Sequence, residues 1–241
     1  MKKVVLLGGS GTVGVTLAEG FKDRYNVIIM DQKKPETDVS FIAVNACDYE
    51  DLVRKIPADT DAIVNLLRLE PEKSLDDKVE MDQMTLLFFQ ASYYLYLAAV
   101  QLDIPKVVFA SSNHVTDCFE EQGRSLLGRE INVSDPAKSK SLYGVLKYAS
   151  EQVGQLFVAE HDLAVISIRI GSMPAKEQKL NEGKRERLFH TQLLEEDAVE
   201  LFRLAIETTR SSGTYYGVSG HPDKPWSTLN AVYELGFKSQ S

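Results

Sequence analysis

The stretch Lys3-Val4-Val5-Leu6-Leu7-Gly8-Gly9-Ser10-Gly11-Thr12-Val13-Gly14 opens the chain and decides its fold. The apolar, partly β-branched residues before the glycines predict a short buried strand. Gly8 permits a tight turn, Gly11 lets the backbone approach a ligand, and Gly14 lets the following helix pack closely on the strand. A strand, a glycine turn and a helix in this order point free N–H groups at an anion, usually a pyrophosphate. The G-x-x-G-x-x-G spacing therefore predicts a nucleotide-binding turn rather than a plain strand-to-helix connection.

Residues beyond the glycines also point to a dinucleotide. The second predicted strand ends at Asp31, where a carboxylate can accept hydrogen bonds from an adenosine ribose and repel the extra phosphate of NADP. Lys33 and Lys34 follow directly and could instead attract that phosphate, and the alternative role for Asp31 is that of a plain turn residue. The position of Asp31 favours the ribose role, and with it NAD over NADP.

Asp48, after the third predicted strand, is a weaker candidate for contact with the amino group of adenine. A helix N-cap role suits it equally well. The other residues expected to bind the cofactor lie in the glycine turn, at the ends of strands, or on the helix discussed below. They are Gly8, Ser10, Gly11, Thr12, Val13, Gly14, Leu66, Tyr143, Lys147 and Ile170.

Composition narrows the class of protein. The 241 residues can bury a substantial core without disulfides, and the net charge of −8 argues against a nucleic-acid or anionic-membrane partner. Cys47 and Cys118 are the only cysteines, and no metal-ligand spacing occurs, so we expect free thiols, a cytoplasmic location and no structural metal. The apolar run before Gly8 is too short for a signal peptide, and polar side chains interrupt the apolar stretch 84–100, so we expect no membrane span.

Predicted strands and helices alternate along the chain, which favours an α/β fold: a Rossmann-like, doubly wound parallel sheet flanked by helices. The predicted strands lie at 3–7, 26–31, 41–44, 61–66, 106–110, 163–170 and 214–218. After the first helix, the predicted helices lie at 49–56, 78–101, 141–161, 196–208 and 227–235. Residues 118–140 resemble a polar loop and 174–187 a charged, mobile excursion. We expect a single domain over 1–241, in which roughly 172–190 and 219–241 form a small C-terminal substrate-binding part.

Polar residues follow the fifth predicted strand and begin the next helix. Ser111-Ser112-Asn113-His114 comes directly after the strand, and Tyr143 and Lys147 are four residues apart, so their side chains share one helix face. A phenol keeps its proton to about pH 10, but a neighbouring ammonium and a positively charged nicotinamide both favour the phenolate. Tyr143 is therefore a candidate general base, and Ser112 would hold the reacting oxygen. The alternative is an ordinary Tyr/Lys pair on a solvated helix face.

Three motifs together resemble the short-chain dehydrogenase/reductase superfamily, in its extended NAD-dependent epimerase/dehydratase branch. They are Gly8-x-x-Gly11-x-x-Gly14, Val107-Val108-Phe109-Ala110-Ser111-Ser112 and Tyr143-Gly-Val-Leu-Lys147. The resemblance covers nearly the whole chain. It implies that Ser112, Tyr143 and Lys147 are the catalytic set, with Lys147 also holding the nicotinamide ribose.

Within that branch the chain looks most like uronate dehydrogenases, which oxidise the anomeric carbon of a hexuronic acid with NAD to an aldarolactone. The motifs are Phe109-Ala110-Ser111-Ser112-Asn113-His114, Arg169-Ile170-Gly171-Ser172 and Tyr216-Gly217-Val218-Ser219. The resemblance implies that Ser112, Asn113, His114 and Ser172 contact the sugar. It places Arg187 where a carboxylate-binding arginine is expected, and a bidentate guanidinium suits a uronate. Arg187 also lies in a charge run that could simply be solvated.

The chain departs from this family pattern at several positions. Leu67-Arg68-Leu69-Glu70 replaces small residues after the fourth strand, so we expect crowding on the nicotinamide side, with Glu70 in place of a small polar contact. Phe88 stands in the place of a family asparagine. The loop from Glu120 to Asp135 is longer than the family pattern leads us to expect.

The nearly all-apolar stretch 84–100 predicts a helix buried on more than one side. The resemblance implies a homodimer through helices 78–101 and 141–161, and burial within one monomer is the alternative. Three functions follow from the sequence: an NAD-dependent dehydrogenase of a sugar acid or similar small polyol, a nucleotide-sugar epimerase or dehydratase with tightly bound NAD, or a non-catalytic dinucleotide-binding protein. The short C-terminal part argues against the second function, and the intact Ser112/Tyr143/Lys147 set argues against the third.

Overall fold

The computed structural model describes residues 1–69, 76–174 and 182–240, the side chains of 182–184 excepted. Its strands are β1 (Lys3–Leu7), β2 (Asn26–Asp31), β3 (Ser40–Ala43), β4 (Ala62–Asn65), β5 (Lys106–Ser112), β6 (Glu120–Glu121), β7 (Arg124–Ser125), β8 (Ala164–Ile170) and β9 (Ser212–Gly217). Seven of them form one sheet in the order β3-β2-β1-β4-β5-β8-β9, with every pairing parallel. The other two, β6 and β7, form an antiparallel hairpin.

Helices cover both faces of the sheet. They are α1 (Thr12–Phe21), α2 (Tyr49–Lys55), α3 (Lys78–Met84), α4 (Ala91–Gln101), α5 (Leu142–Glu160), α6 (Glu182–Thr191), α7 (Glu195–Glu207) and α8 (Leu229–Leu235). A π-helical segment, Thr85–Gln90, joins α3 to α4, and a 3₁₀ segment, Asn113–Phe119, follows β5. None of the helices in the described ranges is long and apolar enough to cross a membrane.

The apolar run of β1 explains the two-layered core. Its side chains alternate across the sheet, so Val4 and Leu6 join one buried cluster with α1, α7 and α8, while Val5 and Leu7 join a second cluster with α2, α4 and α5. Strands buried on both faces need helices on both faces, and the connections between parallel strands supply them. This arrangement confirms the expected doubly wound α/β fold. Because the strand order reverses between β1 and β4, a crevice opens at their carboxyl ends.

Three expectations about local structure need correction. The expected single helix over 78–101 contains the π-helical segment, and the Phe88 carbonyl there accepts a hydrogen bond from the Ser150 hydroxyl at 2.8 Å. The expected polar loop over 118–140 contains the β6–β7 hairpin. From residue 182 onward the expected charged excursion is helix α6, whereas 175–181 lie outside the described residues.

The C-terminal part is held by two apolar clusters. Trp226 is fully buried against Ile131, Tyr216 and Val218, and its ring stacks on Tyr216 with a centroid distance of 6.0 Å. The indole N–H donates to the Thr116 hydroxyl at 3.1 Å, far away in sequence. Helix α8 packs into the main core through its apolar face. The loop around Trp226 is therefore anchored beside the 3₁₀ segment that follows β5.

Candidate active site

A first cavity of about 450 Å³ lies at the carboxyl ends of β1, β2 and β4, and we call it the glycine cavity. Gly8 has a φ of 75°, and a Cβ there would lie 2.8 Å from the Leu67 amide nitrogen. A Cβ on Gly14 would lie 2.3 Å from the Gly9 carbonyl oxygen, so the helix packs directly on the turn. No heavy atom lies within 4 Å of the Cβ position of Gly11, which faces the cavity.

Gly8 and Gly14 form the tight turn and the close helix packing predicted for them. The predicted ligand contact of Gly11 stays a prediction, and the open space there fits a diphosphate approaching the backbone. Helix α1 begins at Thr12, and its N-terminal N–H groups have no side-chain cap from Gly11. Thr12 and Val13 line the same cavity. The donors at a helix N-terminus together with the helix dipole favour an anion. The local geometry therefore fits the pyrophosphate of a dinucleotide.

The predicted ribose-binding carboxylate lines the glycine cavity. Asp31 accepts hydrogen bonds from the backbone N–H of Ser10 at 3.0 Å and of Gln32 at 2.6 Å. The Ser10 hydroxyl donates to the Lys33 carbonyl at 2.6 Å, so Ser10 ties the turn to the end of β2. Gln32 is a lining residue that sequence reasoning did not single out, although its place directly after β2 was a usable signal.

Asp48 is exposed and caps α2. Its carboxylate accepts the backbone N–H of Asp51 at 3.2 Å, so the structure realises the N-cap alternative. Cys47, which sequence reasoning treated only as a free thiol, lines the cavity beside Ala46, and partial burial raises its pKa. Contact between Asp48 and adenine stays a prediction.

A second cavity of about 610 Å³ lies at the carboxyl ends of β4, β5 and β8, and we call it the tyrosine cavity. The structure brings together there every residue predicted for catalysis or sugar binding. They are Ser112, Asn113, His114, Tyr143, Lys147, Ser172 and Arg187. Val13, Leu66, Leu67, Arg68 and Leu69 line both cavities, so the two are neighbours. Ile170, also expected at the cofactor, lines the tyrosine cavity.

Tyr143 and Lys147 project from the first turns of α5, which the Ser141 hydroxyl caps by accepting the Gly144 N–H at 3.4 Å. The Lys147 ammonium lies 5.9 Å from the centroid of the Tyr143 ring. It donates to the Ala110 carbonyl at 2.9 Å and the Leu67 carbonyl at 3.2 Å. Burial lowers the pKa of Lys147 to about 7, helped by the charge of Arg68.

The Tyr143 ring contacts two other rings. Phe88 packs edge to face against it at 5.1 Å between centroids, and His114 packs edge to face against it at 5.7 Å. Phe88 is fully buried, and its ring also lies 4.9 Å from the Lys147 ammonium. The resemblance implies an asparagine at this place, and here a buried ring instead braces the tyrosine. Both aromatic contacts fix the orientation of the phenol.

His114 is held by a carboxylate that the sequence did not reveal. Its Nδ1 lies 2.7 Å from Asp117, and the other oxygen of Asp117 accepts the Lys140 backbone N–H at 2.6 Å. When Nδ1 carries the proton, Nε2 is left as an acceptor. Asp117 lies in the 3₁₀ segment three residues after His114, a spacing that could have pointed to the pair. The Ser112 hydroxyl accepts the His114 backbone N–H at 3.2 Å, which fixes the serine at the end of β5.

Arg187 lines the tyrosine cavity from α6 rather than facing bulk water. Its Nε and Nη2 donate to the Glu120 carboxylate over 3.0–3.2 Å, and its Nη1 donates to the Ser172 hydroxyl at 3.1 Å. The Arg187 side chain is 28% exposed and that of Glu120 only 4%. Sequence reasoning missed this pair because the partners are far apart in the chain.

A buried polar network joins β5 to α5 and β8. Glu151 of α5 accepts two hydrogen bonds from Arg169 of β8, at 2.8 Å and 3.0 Å, and a further one from the Ser111 hydroxyl. Arg169 also donates to the Tyr216 hydroxyl at 3.2 Å, and that hydroxyl contacts Thr116 at 2.7 Å. The network therefore connects α5, β5, β8 and β9 with the 3₁₀ segment that follows β5.

Leu67, Arg68 and Leu69, where the resemblance implies small residues, line both cavities. Glu70 lies outside the described residues. In the part of the chain that the structure describes, no three His, Cys, Asp or Glu side chains come together in a way that could hold a metal ion.

Comparison with known proteins agrees with this geometry. The model of the NAD dependent epimerase/dehydratase family matches residues 4–214. The chain belongs to that family. This membership confirms the expected superfamily: the protein is an NAD-dependent oxidoreductase of the short-chain dehydrogenase/reductase type, and NAD is its cofactor.

Individual relatives range from near to distant. The uncharacterized protein YtbQ of Bacillus subtilis is 50% identical over all of this chain and 94% of its own length. A uronate dehydrogenase of Pseudomonas putida is 25% identical, over 98% of this chain and 82% of its own. The crystal structure of uronate dehydrogenase from Agrobacterium tumefaciens superposes with a TM-score of 0.83 at 22% identity, covering 100% of this chain and 85% of the other. At that identity the likeness is one of fold.

Proposed function

We propose that this protein oxidises a CH–OH group of a sugar acid or of a similar small polyol. One observation carries the proposal: Ser112, Tyr143 and Lys147 line one cavity, and that cavity adjoins the glycine cavity, which fits a dinucleotide. NAD, when bound, supplies the acceptor for the hydride that leaves the carbon. The neighbouring tyrosine cavity holds the polar groups that a small polyhydroxyl substrate needs.

Tyr143 is the proposed general base. Its phenolate takes up the hydroxyl proton of the substrate and becomes the phenol, while the hydride leaves for NAD. Lys147 lies 5.9 Å from the ring, and in its charged form it favours that phenolate. Ser112 holds the reacting oxygen, because the serine is fixed by its hydrogen bond from the His114 backbone. Lys147 reaches the cofactor side of the cavity near Leu67, consistent with a hold on the nicotinamide ribose.

The remaining polar side chains bind the sugar. Asn113 and His114 lie beside Ser112 and contact ring hydroxyls, with Nε2 of His114 as an acceptor. Ser172 and Arg187 are hydrogen-bonded to each other on the opposite wall and contact the far end of the substrate. The distance between these two walls determines which sugars fit.

The test is NADH production by the purified protein with NAD and a panel of uronates and aldoses. We expect NADH from at least one sugar, and a loss of about 10²–10⁴ in kcat for Tyr143→Phe because general-base catalysis is removed. The matched control is Tyr233→Phe, since Tyr233 is 84% exposed on α8. Tyr233→Phe should match the wild type in both turnover and NAD affinity.

Two outcomes would contradict the proposal. Tightly bound NAD that copurifies, with no net NADH from any sugar, would indicate an epimerase or dehydratase. Nucleotide binding without turnover of any substrate, unchanged in Tyr143→Phe, would indicate a non-catalytic binding protein.

We also propose that the protein forms a homodimer through helices 78–101 and 141–161. Apolar side chains lie exposed on both helices, including Phe89 and Tyr93 on one and Val145 and Leu156 on the other. Sedimentation at micromolar concentration should give the mass of two chains, and Leu156→Glu should shift it towards one. A monomeric wild-type protein would contradict this proposal.

A further inference from the structure

The Glu120–Arg187 pair gives the tyrosine cavity a feature that a uronate site does not need. The guanidinium at the far wall already has a carboxylate partner supplied by the chain itself. Three N–H···O contacts over 3.0–3.2 Å join Nε and Nη2 of Arg187 to the two oxygens of Glu120. A bidentate contact of this kind is the one that a substrate carboxylate would otherwise make.

Glu120 cannot easily leave this position. Its carboxylate also accepts the Gly123 backbone N–H at 2.5 Å, and its side chain is 4% exposed. The hairpin turn packs directly on α6: a Cβ on Gly123 would lie 3.0 Å from the Arg187 carbonyl oxygen. Hairpin and helix therefore hold the two charges together.

Among the residues that the structure describes, no other cation that lines the cavity lies at the wall formed by Arg187. Lys140 donates to the Glu120 backbone carbonyl at 2.7 Å but is not a lining residue. Asp117 adds a second carboxylate, which faces His114. Lys147 and Arg68 lie on the opposite side, next to the cofactor, where the charge of Arg68 acts on Lys147. A substrate carboxylate at Arg187 would lie beside the negative charge of Glu120, and two like charges at close range repel each other.

We propose that Glu120 determines the charge preference of the substrate: by neutralising Arg187 it makes the far wall a site for an uncharged hydroxyl group. The preferred substrate is then a neutral aldose rather than the matching uronate. The remaining N–H groups of Arg187 and the hydroxyl of Ser172 suit a CH₂OH group, which both donates and accepts hydrogen bonds. This inference rests on the proposed dehydrogenase function and narrows its substrate class.

The test compares two sugars that differ only at the far carbon, galactose and galacturonate, in the wild type and two variants. Glu120→Gln removes the charge and keeps an oxygen for the Gly123 N–H. Glu121→Gln is the matched control, because Glu121 is an exposed residue of the same hairpin and its replacement changes net charge equally.

We expect the wild type to have the higher kcat/KM for galactose. Glu120→Gln should raise the galacturonate-to-galactose ratio of kcat/KM by at least about tenfold at low ionic strength, because the repulsion is gone. Glu121→Gln should leave that ratio within about twofold, since an exposed charge is screened. A wild type that prefers galacturonate would overturn the inference without any variant, and so would an unchanged ratio in a folded Glu120→Gln protein.

A protein without dehydrogenase activity would give a different result from a protein in which only the role of Glu120 is wrong. If no sugar yields NADH in any variant, calorimetric binding of both sugars to the NAD-loaded protein still tests the role of Glu120. Galacturonate should then bind to Glu120→Gln at least about tenfold more tightly than to the wild type. Equal galacturonate affinity in the two proteins would overturn the inference on its own.

Discussion

The glycine cavity and the tyrosine cavity lie side by side, yet different kinds of contact fix their walls. In the glycine cavity the tight contacts are between backbone atoms, within the turn for Gly14 against Gly9 and against the end of β4 for Gly8 with Leu67. In the tyrosine cavity the charged side chain of Arg187 pairs with Glu120, which is far away in sequence. The first wall depends mainly on backbone geometry, whereas the second depends on side chains that only the complete fold brings together.

This difference has a consequence for stability. The glycine turn requires glycine at Gly8 and Gly14, because only glycine tolerates the positive φ at the first and the close backbone contacts at both. A cavity wall that contains buried ion pairs is stable only when both charged residues are present, since an unpaired buried charge lowers the free energy of unfolding. Substitutions in the buried ion pairs near the tyrosine cavity should therefore lower the free energy of unfolding most. Substitutions in the glycine cavity should lower it less and act mainly on NAD binding.

The largest expected effect comes from breaking the buried ion pair between Glu151 and Arg169. Glu151→Ala leaves the Arg169 guanidinium buried without its carboxylate, and both side chains are at most 4% exposed. The free energy of unfolding should fall by about 3–5 kcal/mol, as for other buried pairs from which one partner is removed. Urea unfolding measures the change, and Glu160→Ala, an exposed position on the same helix, should stay within about 0.5 kcal/mol of the wild type. A loss for Glu151→Ala below about 1 kcal/mol would contradict the supporting role of this network.

A smaller effect should separate two glycines of the turn. Gly14→Ala places a Cβ against the Gly9 backbone, which cannot move aside, so we expect a loss of about 1–3 kcal/mol in unfolding free energy. Gly11→Ala meets no heavy atom within 4 Å, and its stability should match the wild type while NAD binding weakens. Thermal unfolding and a fluorescence titration with NAD check the two effects. Equal stability of both variants would show that the turn is less rigid than its contacts indicate.

The same difference explains what the sequence could predict. The glycine turn, the carboxylate Asp31 and the Tyr143/Lys147 spacing are local patterns, so each could be assigned before the structure. The order of strands and helices could also be predicted, because buried parallel strands are continuous apolar runs. Arg187 could be placed only through the family resemblance.

The sequence could not predict the contacts between residues that are distant in the chain. Nothing near Glu120 indicates that its carboxylate meets Arg187, and Phe88 could be recognised as unusual but not as a brace for Tyr143. The π-helical segment left no local signal because its residues form ordinary helices elsewhere. Asp117 is the exception, since its spacing from His114 was readable. The other contacts of the site depend on tertiary packing, which local sequence patterns do not show.

A third prediction concerns pH, and it tests burial at the boundary of the two cavities. The folded-state pKa of Lys147 is lowered to about 7 by burial, whereas the unfolded chain has an ordinary lysine. The unfolded state therefore binds more protons above pH 7. The cost of burying the charge is fully present below pH 7 and is relieved as pH rises, at up to about 1.4 kcal/mol per pH unit.

Lys147→Met should remove this pH dependence in the protein without added NAD. Between pH 7 and 9, the stability of the wild type relative to Lys147→Met should rise with pH. Lys138→Met, at an exposed position, should not change the slope. Chemical unfolding at three pH values is sufficient, and parallel pH profiles for the wild type and Lys147→Met would show that Lys147 keeps its charge throughout.

The smallest effect is expected at Asp48, at the rim of the glycine cavity. Asp48→Ala removes the acceptor for the Asp51 N–H at the start of α2, which should cost about 1 kcal/mol of unfolding free energy. Asp48→Ser keeps a capping hydroxyl and should recover most of that loss. If capping is the whole role of this carboxylate, NAD affinity is the same in all three proteins, because the wall of the cavity there is formed by Ala46 and Cys47. A several-fold weaker NAD affinity in both variants would instead assign Asp48 to the adenine, and would show that side-chain recognition extends into the cavity that backbone geometry otherwise dominates.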